Sequence, residues 1–253
     1  MLTFRPQPLP MQPIPAPHAV ARLRSARLAV STRPFLSRGG PSGERCEGCR
    51  LILSHCLCAL RPKVSSHAGM CLIMAEFEAL KPSNTGWLIA DVVPDTFAFS
   101  WARTRPDADL LALLQDPQWQ AYLVFPAEFV APERVVTQLP SVESSARPLF
   151  ILLDATWSEA RKIFKKSPYL AGLPVLSLTP SQLSRYRLRR SRVDEHLCTA
   201  EVAALCLHMA GEPHVAQVLD AYLDVFTERY LSAKQQRKVN DEDALHLRLR
   251  SLL

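Results

Sequence analysis

Short apolar runs alternate with amphipathic segments along most of this chain. The apolar runs are rich in branched and aromatic side chains and predict short strands at residues 70–77, 87–93, 96–101, 121–125, 148–153 and 175–178. Helical spacing of apolar residues predicts helices at 107–114, from 158, from 194, at 215–230 and at 241–253. Strands that alternate with helices are typical of an α/β fold with a mainly parallel sheet and helices on both faces.

The first 43 residues differ from the rest in composition. Prolines recur from Pro6 to Pro34 without a sustained helical period, which predicts a disordered tail over residues 1–43. A transit peptide or an over-extended start site would give a similar composition. Residues 1–40 hold six of the 30 basic residues and none of the 24 acidic ones, so the remaining 213 residues are formally neutral. A polyanionic partner would therefore have to be recognised by local basic patches.

Four of the seven cysteines fall in one short segment with the spacing Cys46-x2-Cys49-x6-Cys56-x-Cys58. Four thiolates this close suit tetrahedral Zn²⁺, so we predict a small zinc-binding element at residues 44–63. An iron–sulfur cluster or oxidisable thiols are the alternatives. A closed four-thiolate site leaves no open coordination position, so its expected role is folding or RNA docking. The odd, clustered cysteine count does not resemble a secreted disulfide framework and favours a reducing cytoplasm.

Candidate chemistry lies at the end of the predicted strand 148–153, where Asp154, Thr156 and Trp157 precede a basic helix. Ligands of open α/β sheets bind beyond the carboxyl ends of the strands, so an acid and an indole would face such a ligand. The alternative is structural. Thr156 and Glu159 fit a capping box, with Asp154 as a turn residue and Trp157 as a core anchor. Other strand-edge loops, at 83–86 and 124–126, favour a pocket over a simple cap.

Two basic patches follow this segment. Arg161, Lys162, Lys165 and Lys166 form i,i+4 pairs along the predicted helix, and five arginines lie between residues 185 and 192. A salt-bridged surface is the alternative, but few acidic residues lie nearby in sequence to pair with them. The expected use of both patches is therefore contact with the phosphates of a nucleic acid.

Several separated motifs resemble the DTW-domain family and occur in that family's order. They are Pro82-Ser83-Asn84-Thr85-Gly86, Leu123-Val124-Phe125-Pro126, Asp154-Ala155-Thr156-Trp157, Ser184-Arg185-Tyr186-Arg187-Leu188-Arg189 and Cys198-Thr199-Ala200-Glu201. The four-cysteine segment precedes them, as in the bacterial tRNA-uridine aminocarboxypropyltransferases of that family. The resemblance covers about residues 45–230, with a catalytic domain expected at 64–238 and a C-terminal extension at 239–253. Trp87 departs from the family's pattern, in which a smaller or basic residue is common at this position.

The resemblance implies a SPOUT-like α/β fold with a trefoil knot in the C-terminal half. It also implies that S-adenosyl-L-methionine (SAM) donates its 3-amino-3-carboxypropyl group to N3 of a tRNA uridine, at position 47 of the variable loop, and that methylthioadenosine is released. Asp154 is expected to accept the N3 proton or to orient the uracil. The expected donor contacts are Asn84, Thr85, Gly86, Val124, Phe125, Pro126, Asp154, Thr156, Trp157 and Ser158. The expected tRNA contacts are Arg161, Lys162, Lys165, Arg185, Tyr186, Arg187 and Arg189.

Other function classes remain open at this point. A SPOUT-type RNA methyltransferase would release S-adenosylhomocysteine, and a zinc-containing RNA-binding module would not bind SAM. The chain has only eight glycines and no G-x-G-x-x-G turn, which disfavours a Rossmann-type cofactor site. No apolar run approaches the roughly 18 residues of a membrane helix. We expect no membrane association and no obligate protein partner.

Overall fold

The computed structural model describes residues 17–32, 40–139, 146–178 and 197–253. Within these residues the centre of the molecule is a six-stranded, all-parallel sheet. In chain order the strands are β1 Gly69–Met74, β2 Thr96–Ser100, β3 Trp119–Val124, β4 Val135–Val136, β5 Arg147–Asp154 and β6 Val175–Leu176. Their order across the sheet is β2-β1-β5-β3-β6-β4. The predicted α/β fold with a mainly parallel sheet is confirmed.

Helices cover both faces of this sheet. They are α1 Ala19–Ala29, α2 Gly86–Val92, α3 Ala108–Gln115, α4 Trp157–Lys166, α5 Thr199–Met209, α6 Pro213–Lys234 and α7 Ala244–Leu252. Successive side chains of a strand point to opposite faces, and β5 divides its apolar residues accordingly. Leu149 and Ile151 pack with α3 and α4, whereas Phe150 and Leu152 pack with α1, α2, α5 and α6. Both faces of the central strand are therefore buried, as is typical of parallel sheets.

The prediction of a strand at residues 87–93 is wrong, because this run forms the helix α2. A run that is apolar at almost every position fits a buried strand and a buried helix equally well. The preceding turn decides between them, because the side-chain oxygen of Asn84 accepts a hydrogen bond from the Trp87 N–H at 3.1 Å. Six of the seven residues of α2 are buried, as expected for a helix that is apolar on all sides.

The prediction of a disordered tail through residue 43 is wrong for Ala19–Ala29, which form α1. His18 caps this helix by accepting a hydrogen bond from the Ala21 N–H at 3.2 Å. Val20 is fully buried in the core, and the Arg24 guanidinium donates to the Leu80 carbonyl at 2.7 Å. Because α1 is held by contacts with residues distant in sequence, the local pattern of apolar residues does not predict it. Residues 1–16 and 33–39 lie outside the described part of the chain.

Other differences from the sequence predictions are small. The strands predicted at 70–77 and 175–178 end earlier, at Met74 and Leu176, and the two-residue strand β4 is too short to be recognised by its pattern. The knot stays a prediction, since residues 179–196 lie outside the described ranges. The domain boundaries at residues 63 and 238 also stay predictions. In the part of the chain that the structure describes, no helix combines the length and apolar character needed to cross a bilayer.

The strand order places the carboxyl ends of three strands, β1, β5 and β3, side by side. β5 lies between β1 and β3, and Asp154, at the end of β5, pairs in register with Met74, at the end of β1. The Ala75 N–H donates to the Asp154 carbonyl at 3.0 Å, so the first residue after β1 is still hydrogen-bonded to the end of β5. Ligands of open parallel sheets bind where neighbouring strands lead away in opposite directions, and this edge is such a point.

Candidate active site

Asp154 is the acceptor at the centre of a buried hydrogen-bonded group. Asn84 Nδ2 donates to one carboxylate oxygen at 2.7 Å, and Thr199 Oγ1 donates to the other at 2.7 Å. The Ala200 N–H donates to Thr85 Oγ1 at 3.3 Å, which ties the first turn of α5 to the turn before α2. Three segments that are distant in sequence therefore meet on one carboxylate.

The burial of Asp154 bears on its role. The residue is only 3% exposed, and its carboxylate lies behind Thr199 and does not line the adjacent cavity. A carboxylate removed from water must be satisfied by donors, and Asn84 and Thr199 supply them. Both roles expected from the sequence, acceptance of the N3 proton and orientation of the uracil, stay predictions. The contacts in the structure show Asp154 holding the Asn84 and Thr199 side chains.

Gly86 permits the close approach of the α2 turn to Asp154. A Cβ atom at this position would lie 2.5 Å from Asp154 Oδ2, 3.1 Å from Leu72 Cδ1 and 3.3 Å from Asn84 Oδ1. The first of these distances is shorter than any normal contact, so a side chain would displace the carboxylate or the turn. Glycine is needed here for space and not for an unusual backbone angle.

A cavity of about 350 Å³ opens beside this group at the carboxyl edge of the sheet. Its lining residues are Val124, Phe125, Pro126, Glu128, Leu152, Leu153, Ala155, Trp157, Ala160, Leu178, Leu197, Thr199 and Val202. Four of the predicted donor contacts, Val124, Phe125, Pro126 and Trp157, thus share one cavity. Asn84, Thr85 and Gly86 lie behind it as the support of Asp154, and they do not line it.

Stacked aromatic rings form one wall of the cavity. The Phe125 ring lies parallel to Phe164, with 4.4 Å between centroids, and stacks on Trp157 at 5.5 Å. Phe129 meets the edge of Trp157 at 5.6 Å, and the Arg161 guanidinium lies 5.7 Å from the Trp157 ring centroid. Trp157 is therefore both a packing anchor and a cavity-lining side chain, so the two interpretations of this residue are compatible.

The capping box predicted at the start of α4 is present. The Glu159 N–H donates to Thr156 Oγ1 at 3.4 Å, and the Thr156 N–H donates to Glu159 Oε2 at 3.0 Å. The Thr156 hydroxyl also donates to Glu159 Oε2 at 2.6 Å. Neither Thr156 nor the exposed Ser158 lines the cavity. Their predicted contact with a donor carboxylate stays a prediction, and the Glu159 carboxylate already occupies this helix end.

A second acid, Glu78, lies close to Asp154 in the loop after β1. Burial, reinforced by the negative charge of Asp154, raises the pKa of Glu78 to about 7, and the ion pair with Lys81 opposes this shift. α1 holds the same loop, through Arg24 and through an Arg27–Glu76 ion pair of 2.8 Å. No sequence signal separates Glu78 from an ordinary surface acid, because only the fold places it beside Asp154.

The four clustered cysteines come together as the spacing predicts. Their Sγ atoms all lie within 4.8 Å of one another, with 3.6 Å between Cys46 and Cys58 and 3.9 Å between Cys49 and Cys56. Zn–S bonds of about 2.3 Å place tetrahedral sulfurs about 3.8 Å apart, so the set fits such an ion. A hydrogen bond from the Cys58 thiol lowers the pKa of Cys49 to about 5, and the same bond together with burial raises the pKa of Cys58.

The predicted phosphate contacts are only partly described. Arg161, Lys162 and Lys165 are exposed on α4, and none of them pairs with a carboxylate in the described ranges. Arg185, Tyr186, Arg187 and Arg189 lie outside the described residues. The sequence does not mark Thr199 as a site residue, although it belongs to one of the quoted motifs. It also misses Glu128, Leu178 and Val202, which carry no signal of their own.

Comparison with known proteins identifies relatives of this chain. The family model of the DTW domain matches residues 43–231. The tRNA-uridine aminocarboxypropyltransferase 2 of Drosophila melanogaster is 33% identical over 117 residues. That alignment covers 46% of this chain and 43% of the fly protein, so the chain matches less than half the length of this relative. No solved structure matches the chain.

Gly86→Ala tests the tight packing of the α2 turn against Asp154. We expect it to lower the free energy of unfolding by about 1–3 kcal/mol, because the added methyl group must displace buried neighbours. Gly172→Ala is the matched control, since a Cβ atom there meets nothing within 4 Å. Urea denaturation of both variants checks the difference, and equal stability of the two would contradict the packing described here.

Proposed function

Because the chain belongs to the DTW-domain family, we propose that it is a tRNA-uridine aminocarboxypropyltransferase that uses SAM as donor. The observation that carries the proposal is the Asn84–Asp154–Thr199 group beside an aromatic-walled cavity, at the sheet edge where α/β proteins bind ligands. The family match and the name of the fly relative supply the reaction class. The cavity volume falls at the lower end of the range of about 300–1,000 Å³ common for small-molecule sites.

In the proposed reaction, N3 of a uridine attacks the methylene carbon that joins the aminocarboxypropyl group to sulfur. The C–N bond forms as the C–S bond breaks, the bonding electron pair stays on sulfur, and neutral methylthioadenosine leaves. N3 gives up its proton to solvent water, since the Asp154 carboxylate does not line the cavity. Three carbons surround the sulfonium, so the choice of the aminocarboxypropyl arm over the methyl group depends on how the donor is held relative to N3.

The cavity walls offer distinct partners for the parts of the donor. The Phe125 and Trp157 rings and the apolar Leu178 and Val202 suit an adenine ring, and an indole face also attracts a sulfonium. The Thr199 hydroxyl donates its hydrogen bond to Asp154, so its oxygen presents an acceptor to the cavity. That acceptor suits an ammonium group, a ribose hydroxyl or the uridine N3–H. In this scheme Asp154 acts through Thr199 and Asn84 as a positioning residue.

We propose that tRNA lies along α4 and the loop after β2. Lys162 Nζ lies 5.5 Å from the Trp101 ring centroid, and Trp101 Nε1 donates to Ser167 Oγ at 2.9 Å, which joins this loop to the helix. A second cavity, of about 380 Å³, lies at the end of α4 and is lined by Arg103, Lys165 and Lys166 among others. Exposed cations around a cleft are suited to phosphate contact. The target nucleotide, variable-loop position 47, rests on the family resemblance alone.

We further propose that the four cysteines bind structural zinc. The separations of their sulfur atoms fit a tetrahedral tetrathiolate, which supplies folding energy and leaves no coordination position for substrate. All seven cysteines are free of disulfides. A reducing compartment, the cytoplasm, would keep them so.

The reaction itself is tested by the products formed from SAM and unmodified tRNA. We expect methylthioadenosine in solution and an aminocarboxypropyl uridine in the digested tRNA, both detected by mass spectrometry. Thr199→Val should slow product formation by about 100-fold, because it removes the donor and acceptor that align the site. Thr199→Ser retains the hydroxyl and should keep most of the activity. S-adenosylhomocysteine as product would indicate a methyltransferase, and the absence of SAM binding would indicate an RNA-binding module.

Metal analysis of the purified protein tests the zinc proposal. We expect about one zinc per chain, lost together with thermal stability in Cys58→Ser, because three thiolates do not close a tetrahedral site. Cys206→Ala, a buried cysteine outside the cluster, should keep its zinc. Iron with acid-labile sulfide, or a metal-free protein of unchanged stability, would contradict the proposal.

The tRNA surface is tested by removing two cations of α4. Lys162→Ala with Lys165→Ala should weaken tRNA binding and reduce the slope of log affinity against log salt by about 0.9 for each phosphate that is no longer neutralised. SAM affinity should not change. Lys238→Ala, an exposed lysine after α6, is the control. A salt slope equal to that of the unmodified protein would place the tRNA elsewhere.

A further inference from the structure

Arg50 connects the four-cysteine element to the turn that supports Asp154. We propose that Arg50 is a positioning residue for the donor site, acting through Asn84; the proposal rests on the function proposed above. Arg50 directly follows Cys49 and is only 2% exposed. The N–H groups of a buried arginine need acceptors within the protein. The groups that accept from its guanidinium therefore show which part of the structure it holds in place.

Two of those partners are carbonyl groups at the two ends of one turn. Arg50 Nη1 donates to the Lys81 carbonyl at 2.9 Å, and Arg50 Nη2 donates to the Asn84 carbonyl at 3.0 Å. The guanidinium carbon also lies 4.3 Å from the centroid of the Trp87 ring, at the start of α2. A planar, forked group can make these contacts together, whereas the single ammonium of lysine cannot reproduce their geometry.

The cysteine element in turn holds Arg50. Its φ of 65° lies in the left-handed region, which is unfavourable for a residue with a side chain. The Arg50 N–H donates to the Cys46 carbonyl at 2.7 Å, and Arg45 donates to the Arg50 carbonyl at 2.9 Å. The fold of the cysteine loop therefore fixes a backbone conformation that aims the side chain at the Lys81–Asn84 turn.

Asn84 connects the Arg50 side chain to the Asp154 carboxylate. Its main-chain carbonyl is held by Arg50, while its side chain accepts from the Trp87 N–H and donates to Asp154 Oδ2. A shift of this turn would therefore move Asp154 and, with it, Thr199 at the cavity wall. Displacements of about 1 Å are enough to impair positioning. A metal held by the cysteines would stabilise the donor site through this connection without touching the donor.

Arg50→Lys and Arg50→Gln test the proposal, with SAM affinity measured by calorimetry on zinc-containing protein that circular dichroism shows to be folded. Either variant should weaken SAM binding by about tenfold, comparable to the loss of one charged hydrogen bond. Zinc content and tRNA affinity should stay unchanged. Gln is included because a neutral amide leaves no unpaired buried charge if Lys prevents folding. Arg61→Lys is the control, since Arg61 holds Gly48 and Asp91 in the same region without contacting the Lys81–Asn84 turn.

A double-mutant cycle with Asn84→Ala separates positioning from general stabilisation. If Arg50 acts through Asn84, its substitution should have little further effect on SAM affinity once Asn84 is removed. Additive effects, an unchanged SAM affinity in both Arg50 variants, or an equal loss in Arg61→Lys would each overturn the proposal. Wild-type protein that binds no SAM would refute the proposed function, and a wild type that binds SAM no more tightly than the Arg50 variants would refute the coupling alone.

Discussion

The buried carboxylate of Asp154 is the constraint on which the site depends. A carboxylate held away from water is costly unless donors surround it, and here the donors come from the turn before α2 and from the start of α5. The hydrogen bonds to this one carboxylate therefore bring three separate segments together at the end of β5. The same requirement explains why Gly86 leaves no room for a side chain.

The residues that support Asp154 differ from the residues that face the cavity. Asn84, Thr85 and Gly86 lie behind the cavity, while Thr199, Phe125 and Trp157 face it. The proposed chemistry needs such a division, because transfer of one of three sulfonium substituents is decided by orientation. A rigid carboxylate behind the wall holds the Thr199 oxygen in one direction, and the stacked rings provide a flat surface for the rest of the donor.

Local features of the site are predictable from the sequence and long-range features are not. The strand that ends on Asp154, the capping box at Thr156 and the four-sulfur cluster follow from short spacings, and the structure contains all three. The hydrogen bonds that define the site join Asp154 to residues 70 and 45 positions away, so no periodicity reveals them. The apolar run of α2 also fits a buried strand, and the hydrogen bond from the Trp87 N–H to Asn84 Oδ1 is not visible in its pattern. α1 is held by tertiary contacts. The sequence does not connect Arg50 to Asn84, which lies 34 positions away, and only the fold brings the two together.

A crystal structure of the protein with bound SAM would decide whether the hydrogen-bonded group around Asp154 supports the donor site. We expect the adenine against the Phe125 and Trp157 wall and a polar group of the donor or of uridine within hydrogen-bonding distance of Thr199 Oγ1. Asp154 should still accept hydrogen bonds from Asn84 and Thr199. SAM bound in a different cavity would show that the donor site lies elsewhere. SAM bound here with the hydrogen bonds from Asn84 and Thr199 to Asp154 broken would show that this group does not support the donor.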